Sequence, residues 1–143
     1  SDPDGVEGPA RMVPGLGLLD VRTVMTGDKT LREVSGMLMD QDVAFEGYEM
    51  HVGSTTGPGV GRPFLRYDDG ATDGAISADG LVAGCYVHGL LGGTAARAAL
   101  ISSIGARSSG ADHAARVEQA LDEIAGVLEG CLDIGKLAAI AGL

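Results

Sequence analysis

The sequence predicts an α/β domain in which a mixed sheet comes first and two helices follow. Short apolar runs separated by glycine-containing turns fill the first two thirds of the chain, a pattern typical of strands. The last third repeats apolar residues at three- and four-residue steps, which indicates amphipathic helices. This order is not a complete alternating βα sheet, but it is compatible with one half of such a sheet.

Composition favours one compact domain with an aliphatic core. The chain has 143 residues, of which 45% are hydrophobic, so it can bury a core. Aromatic residues make up only 3% and there is no tryptophan, so Ala, Val, Leu, Ile and Met must fill that core. The 24 glycines have no regular period, which excludes a collagen-like repeat and indicates turns and close backbone contacts.

The charge balance excludes several classes of partner. A net charge of −10 without a basic stripe argues against binding to nucleic acid or to an anionic membrane surface. No apolar run reaches the ~18 residues of a membrane span, and no signal peptide opens the chain. Two cysteines do not make a disulfide framework, so a soluble cytoplasmic protein is expected.

Residues 1–15 are predicted to be a loop, because they combine proline, glycine and acidic residues without apolar periodicity. Strands are expected between residues 16 and 91, and the first three of them are predicted over residues 16–25, 31–39 and 45–55. A turn at Thr26-Gly27-Asp28-Lys29 joins the first two strands. On the third strand Glu49 and His51 are two residues apart, so they share one face.

The remaining strand region is predicted to contain a glycine-rich loop, a short edge strand and a hairpin, over residues 53–61, 63–67 and 74–88. Asp79-Gly80 supplies the positive-φ turn of that hairpin.

The helical region is predicted over residues 94–143, within the same partial domain. Thr94 is expected to cap a helix over residues 95–104, and Asp112 is expected to cap a longer helix over residues 113–131. Residues 132–143 are predicted to form a short additional helical turn or tail.

The segment from residue 84 to residue 91 holds the best candidate for catalysis. His88 ends an apolar strand and a glycine follows it directly. A histidine in an apolar strand is often a satisfied core residue, but active-site residues of α/β folds gather at the carboxyl ends of strands. His88 is therefore a candidate general base.

The two cysteines of the chain are poor nucleophiles for that base. Residues three apart on a strand point to opposite faces and lie roughly 10 Å apart, which separates Cys85 from His88. Nucleophile and base must instead approach within about 3 Å. Cys85 and Cys131 are interpreted as small buried hydrophobes.

Two other kinds of site are disfavoured. A metal site from His51, His88 and Cys85 lacks the close paired spacing of a zinc motif. The segment from Gly27 to Thr30 places Asp28 between glycine and lysine, and no helix follows it. A phosphate-binding loop is therefore not expected there.

Several long stretches together resemble the cobyric acid synthase family. The stretches with this resemblance are residues 2–9, 15–21, 26–30, 45–53 and 73–90. They are distributed from residue 2 to residue 90, and the two longest contain Glu49, His51 and His88.

The resemblance implies the C-terminal half of a class I glutamine amidotransferase-like domain, with a flavodoxin-like fold. In that family a cysteine attacks the amide of glutamine and a histidine, which maps onto His88, activates it. Ammonia then passes to an N-terminal synthetase domain that uses ATP and Mg and amidates corrinoid carboxylates in cobalamin biosynthesis. The family cysteine maps onto no residue, so the chain is expected to be a fragment that starts just after it and to carry no cofactor itself.

The resemblance leaves the orientation of His88 open. Many related amidotransferases carry His-x-Glu, in which the glutamate orients the imidazole, but Leu90 stands at that position here. Glu49 is one candidate for the missing carboxylate. The alternative is that Glu49 and His51 satisfy each other or shape a substrate pocket.

Two further hypotheses concern partners. Half of a doubly wound sheet would expose a strand edge, so self-association or a complex with a companion chain is expected. An alternative to the enzymatic hypothesis is an inert fragment or a degenerate module that binds a partner.

Overall fold

The computed structural model describes residues 1–143 and divides them into two compact units, residues 1–109 and residues 110–143. The first unit contains every strand, a short 3-10 helix (Pro58–Gly61) and one α-helix, and the second contains two α-helices. The α/β class and the order of strands before helices are thus confirmed. None of the three helices combines the length and the apolar character that a bilayer crossing requires.

Seven strands build two sheets in the first unit. Their order along the chain is β1 (Arg22–Leu38), β2 (Val43–Thr56), β3 (Leu65–Tyr67), β4 (Thr72–Asp73), β5 (Ala75–Ile76), β6 (Ala83–Gly84) and β7 (Val87–His88). The larger sheet has the order β4-β3-β1-β2-β7, and β5 pairs with β6 in a separate ribbon. Every strand pair is antiparallel, where the sequence predicts a mixed sheet.

The first predicted strand and the turn after it need correction. Residue 16 is irregular and residues 17–20 are bends, and β1 runs without a turn from Arg22 to Leu38. Its register with β2 passes from Val24↔Ser54 to Lys29↔Val52, so four residues of β1 stand opposite the single residue Gly53. The predicted turn at residues 26–29 is therefore a bulge inside one long strand.

Gly53 explains why the chain accepts this bulge. Its φ of +94° is unfavourable for residues with a side chain, and a Cβ there would lie 2.2 Å from the carbonyl oxygen of Val24. Because Gly53 has no Cβ, the backbone of β1 at Val24 and Met25 can approach β2 closely at this point.

The core of the first unit lies on one face of the larger sheet. Leu38 and Leu65 are cross-strand partners with almost no exposed surface. Phe45 and Tyr67 flank the buried Gly36 from opposite sides, and their rings meet edge to face at 6.3 Å. Each such large apolar side chain contributes about 1.5–3 kcal/mol when fully buried.

The helices are three rather than two: α1 (Thr94–Ser103), α2 (His113–Cys131) and α3 (Ile134–Ala141). Asp112 caps α2 as predicted, because its carboxylate accepts a hydrogen bond from the Ala115 amide at 3.1 Å. The prediction for Thr94 is wrong. Thr94 is the first residue of α1, and Gly93 occupies the cap position without a side-chain hydrogen bond.

The predicted C-terminal tail forms α3. Asp133 begins this helix by accepting a hydrogen bond from the Lys136 amide at 2.9 Å. Gly142 ends it with a φ of +74°, the left-handed conformation that favours glycine at a helix C-terminus.

Within the second unit, the apolar stripe of α2 stays exposed. Val117, Leu121, Ile124 and Leu128 lie on that stripe and are 42%, 53%, 57% and 48% exposed. Cys131 is exposed as well, so its interpretation as a buried hydrophobe is wrong. Within this unit only α3, which has 8 residues, is available to pack on α2, and it is too short to cover the whole stripe.

Candidate functional site

His88 reaches its place because the predicted hairpin divides into two parts. The turn at Asp79-Gly80 forms as predicted, with a φ of +73° at Gly80, and joins β5 to β6. The chain then leaves this ribbon, and β7 joins the outer edge of β2 through the pairs Tyr48↔His88 and Glu49↔Val87.

The side chain of Asp73, on β4, binds the chain where it leaves the β5–β6 ribbon. The carboxylate of Asp73 accepts a hydrogen bond from the Tyr86 amide at 2.8 Å, so this amide is satisfied without a strand partner. Beyond β7 the chain turns at Gly89, whose φ is +80°. β7 therefore ends directly after His88, and the imidazole stands at a strand terminus.

Gly47 allows β7 to lie close to β2. A Cβ at Gly47 would stand 2.3 Å from the carbonyl oxygen of His88, a distance that atoms in folded proteins do not adopt. Any larger residue would push the backbone of His88 away from the sheet.

His88 lies on the face of the sheet that carries Tyr48, because cross-strand partners share a face. The two rings stack with centroids 5.1 Å apart and planes inclined by 11°. Both residues are exposed. Leu90, two residues after His88, is buried in the core and offers no polar atom to the imidazole.

Glu49 belongs to the opposite face and is buried. Nε of Arg32 donates to its Oε2 atom at 2.7 Å, and Nε2 of His51 lies 2.9 Å from its Oε1 atom. Burial raises the pKa of Glu49, but the hydrogen bonds from Arg32 and His51 together outweigh burial and hold the pKa below its ordinary value. Glu49 is therefore a carboxylate held between two donors.

Both ring nitrogens of His51 face acceptors. Nδ1 lies 3.0 Å from the carbonyl oxygen of Gly53, while Nε2 faces Glu49. A carbonyl and a carboxylate both accept, so only a ring with a proton on each nitrogen satisfies the two at once. The ring of His51 also lies 4.4 Å from that of Tyr86. The structure thus brings Glu49 and His51 together and leaves His88 on the other face.

His51 lines a cavity of about 470 Å³ beside this cluster. Its polar wall is a connected set of three hydroxyl groups: Thr55 Oγ1 lies 2.6 Å from both Thr23 Oγ1 and Tyr86 Oη. Asp73 and Cys85 also line the cavity, but Glu49 and His88 do not.

Sequence reasoning missed the hydroxyl wall and Arg32. Thr23 and Thr55 are cross-strand partners, and nothing in the local pattern indicates that pairing. Arg32 is the cross-strand partner of Glu49, and no local pattern indicates this pairing either. Opposite charges on two predicted neighbouring strands were the only available signal.

The two cysteines have different surroundings. Cys85 packs against the core, and its Sγ atom lies 3.8 Å from the carbonyl oxygen of Val87. Burial raises the pKa of its thiol, which lowers the fraction of reactive thiolate. Cys131 lies at the end of α2 in the second unit. His51, His88 and Cys85 do not converge on a common point, and no metal-binding cluster forms elsewhere.

The match to a family model shows that the first unit is a domain of the glutamine amidotransferase class. A family model described as the CobB/CobQ-like glutamine amidotransferase domain matches residues 1–96, which is most of the first unit. The chain therefore belongs to this family, and the resemblance drawn from its motifs is confirmed.

Curated relatives extend the match to the whole chain. Cobyric acid synthase of Caulobacter sp. (strain K31) is 60% identical over 143 residues, which are 100% of this chain and 29% of the relative. Cobyric acid synthase of Rhizorhabdus wittichii is 52% identical over 99% of the chain, and that of Methylorubrum populi is 53% identical over 93%. The chain spans 27–29% of the length of these relatives. No solved structure shows a significant match.

Proposed function

We propose that this chain supplies the histidine of a glutaminase centre and that His88 is its general base. The observation behind this proposal is the placement of an exposed imidazole at the end of β7, within the residues that match the family. A base in such a position is open to a partner residue and to substrate from one side.

The cysteine nucleophile of this centre comes from residues outside the 143 described here. Cys85 faces the core side of the sheet and burial raises the pKa of its thiol, and the family cysteine maps onto neither cysteine of the chain. His88 would accept the proton of the external thiol as sulfur attacks the glutamine amide. The resulting imidazolium would return that proton to the departing ammonia, and His88 would then activate water to hydrolyse the thioester.

Ammonia from this reaction would serve an ATP-dependent amidation of corrinoid carboxylates in cobalamin biosynthesis. The curated relatives are named cobyric acid synthase, and the chain spans less than a third of their length. A synthetase domain in the same complete protein would bind ATP, Mg and the corrinoid, while this domain would bind glutamine.

Glu49 and His51 have a pocket role in this proposal. His51 stands on the wall of the cavity, and Glu49 together with the Gly53 carbonyl holds its ring in one orientation. Their effect on the reaction would run through the shape and charge of that wall. Because both side chains lie on the other face of β2 from His88, the proposal gives them no direct proton transfer with it.

The test replaces His88 by Ala in the complete enzyme and measures amidation with two nitrogen sources. Glutamine-dependent amidation is expected to disappear, while amidation with added ammonia continues at its normal rate. His113→Ala is the matched control, because His113 is an exposed histidine at the start of α2. Retention of glutamine-dependent amidation in His88→Ala would remove the role assigned to His88.

A glutaminase assay on the 143-residue chain tests the origin of the nucleophile. Since Cys85 packs on the core with a raised thiol pKa and the family cysteine maps onto no residue of this chain, no ammonia release is expected from the chain alone. Turnover that is lost in Cys85→Ser or Cys131→Ser would show that one of these thiols is competent, and the external nucleophile would then be wrong.

A further inference from the structure

We propose that Tyr48 is a positioning residue for His88, and that its ring fulfils the orienting role that a carboxylate fills in His-x-Glu amidotransferases. This inference rests on the proposed function of His88 as a base. It assigns a role to a side chain that neither the motifs nor the charge pattern single out.

The first support is the geometry of the ring pair. Tyr48 and His88 are direct cross-strand partners, with centroids 5.1 Å apart and planes only 11° from parallel. This is an offset stack, an arrangement that aromatic rings favour. Rotation of the imidazole out of this plane would break the stack, so Tyr48 holds the plane of the ring.

The second support is that the backbone beneath the pair is held from several sides. Val87 and Leu90 are both buried and anchor the two flanks of His88. Gly47 permits the close approach of β7, as its absent Cβ would meet the His88 carbonyl oxygen. The remaining freedom of His88 lies in its side chain, which is exposed and stacks on Tyr48 alone.

The third support is the position of the nearby carboxylates. Glu49 lies on the opposite face and is occupied by Arg32 and His51. Glu33 and Glu46 share the face of His88, one as the cross-strand partner of Tyr48 and the other two residues before it. Both are exposed, and neither hydrogen-bonds to the imidazole. An orienting carboxylate is therefore replaced by an aromatic plane.

The catalytic test uses the complete enzyme with Tyr48→Phe and Tyr48→Leu. Phenylalanine keeps the stacked plane, so glutamine-dependent kcat should stay within about twofold of the parent. Leucine suits a strand but has no plane, so kcat should fall by about ten- to a hundredfold, as small misplacements of catalytic groups do. The KM for glutamine should change little, and ammonia-dependent amidation should not change.

The spectroscopic test does not depend on catalysis. In NMR spectra of the 143-residue chain, the ring protons of His88 should show Overhauser contacts to those of Tyr48. Their resonances should carry the upfield ring-current shift of a stacked imidazole. The shift should persist in Tyr48→Phe and vanish in Tyr48→Leu. Because the contacts are measured in the unmodified chain, the proposal stays testable even if a variant fails to fold.

The outcomes distinguish a failure of this inference from a failure of the proposed role of His88 on which it rests. If His88→Ala abolishes glutamine use and Tyr48→Leu retains normal kcat, His88 is the base but Tyr48 does not position it. An activity loss in Tyr48→Phe equal to that in Tyr48→Leu would also overturn the inference, since the hydroxyl rather than the ring would then matter. Retention of glutamine use in His88→Ala would remove the function itself, whatever the spectra show.

Discussion

Nε2 of His51 lies 2.9 Å from Oε1 of Glu49, on the face of β2 that points away from His88. The sheet thus separates two histidines with different surroundings. One is exposed beside an aromatic ring, and the other is fixed at both nitrogens inside a charged cluster. The proposed function assigns reactivity to the exposed imidazole and pocket support to the fixed one.

Glu49→Gln is expected to lower the free energy of unfolding by about 1–3 kcal/mol at neutral pH. Glutamine keeps the size of the side chain but withdraws the negative charge that Arg32 and His51 both contact. Urea unfolding of the two proteins measures the difference. Glu46→Gln is the control, because Glu46 is exposed on the opposite face of the same strand.

The same pair of proteins should differ in their response to acid. The pKa of Glu49 in the folded chain lies below its ordinary value of 4.5. Its charge therefore contributes stability above about pH 4.5, and that contribution is lost as the pH falls through the folded-state pKa. The unfolding free energy of the parent should drop more steeply below pH 5 than that of Glu49→Gln. Parallel curves for the two proteins would contradict the stabilising role of this carboxylate.

Gly47→Ala is expected to cost about 1–3 kcal/mol of stability through steric overlap. The added Cβ would stand 2.3 Å from the His88 carbonyl oxygen, so β7 must move away from β2. Gly27→Ala is the matched control, since Gly27 lies in the bulge of β1 with nothing within 4 Å of the added atom. Urea unfolding gives the free energies, and the His88 ring resonances report the movement. Equal stability of the two variants would show that β7 is not held at this distance.

Local rules were sufficient for several features of the fold. The two-residue period of a strand placed Glu49 beside His51, and a carboxylate before an amphipathic run placed Asp112 at the start of α2. Asp79-Gly80 also specified its turn locally, because the positive φ of the turn depends only on the glycine at that position. These predictions depended only on neighbours in sequence.

The errors arose where distant residues decide the outcome. The bulge in β1 depends on Gly53 across the ladder, and the division between β6 and β7 depends on Asp73, thirteen residues before Tyr86. Leu16 lies in an apolar run but is 90% exposed, because the chain around it does not join the sheet. The stacking of Tyr48 on His88 likewise requires the register of β2 with β7, which no local pattern contains.

The two cysteines should react with a thiol reagent in two separate phases. Cys131 is exposed and should be modified first, whereas Cys85 is partly buried and burial raises the pKa of its thiol. Absorbance with a disulfide reagent at pH 8 measures both rates. Cys131→Ser should remove the fast phase and Cys85→Ser the slow one. The opposite assignment would show that Cys85 is open to solvent and reactive.

Tyr67→Phe is expected to leave the free energy of unfolding unchanged or to raise it by up to about 2 kcal/mol. The ring of Tyr67 is buried against Phe45 and lies 5.0 Å from the Arg32 guanidinium, but its hydroxyl group is buried without a hydrogen-bond partner. Burial raises the pKa of this phenol, and the charge of Asp73 adds to the effect, so the group stays neutral. Phenylalanine keeps the ring contacts and removes the unsatisfied oxygen.

Tyr67→Leu is the control, because it removes the aromatic contacts and should cost about 2–4 kcal/mol. Urea unfolding at neutral pH compares the three proteins. A loss of more than about 1 kcal/mol in Tyr67→Phe would mean that the hydroxyl has a partner in solution, since the net value of one hydrogen bond is of that size. Asp73 would be the first residue to examine as that partner. Its carboxylate already accepts the hydrogen bond from the Tyr86 amide, at the point where the hairpin ends before His88.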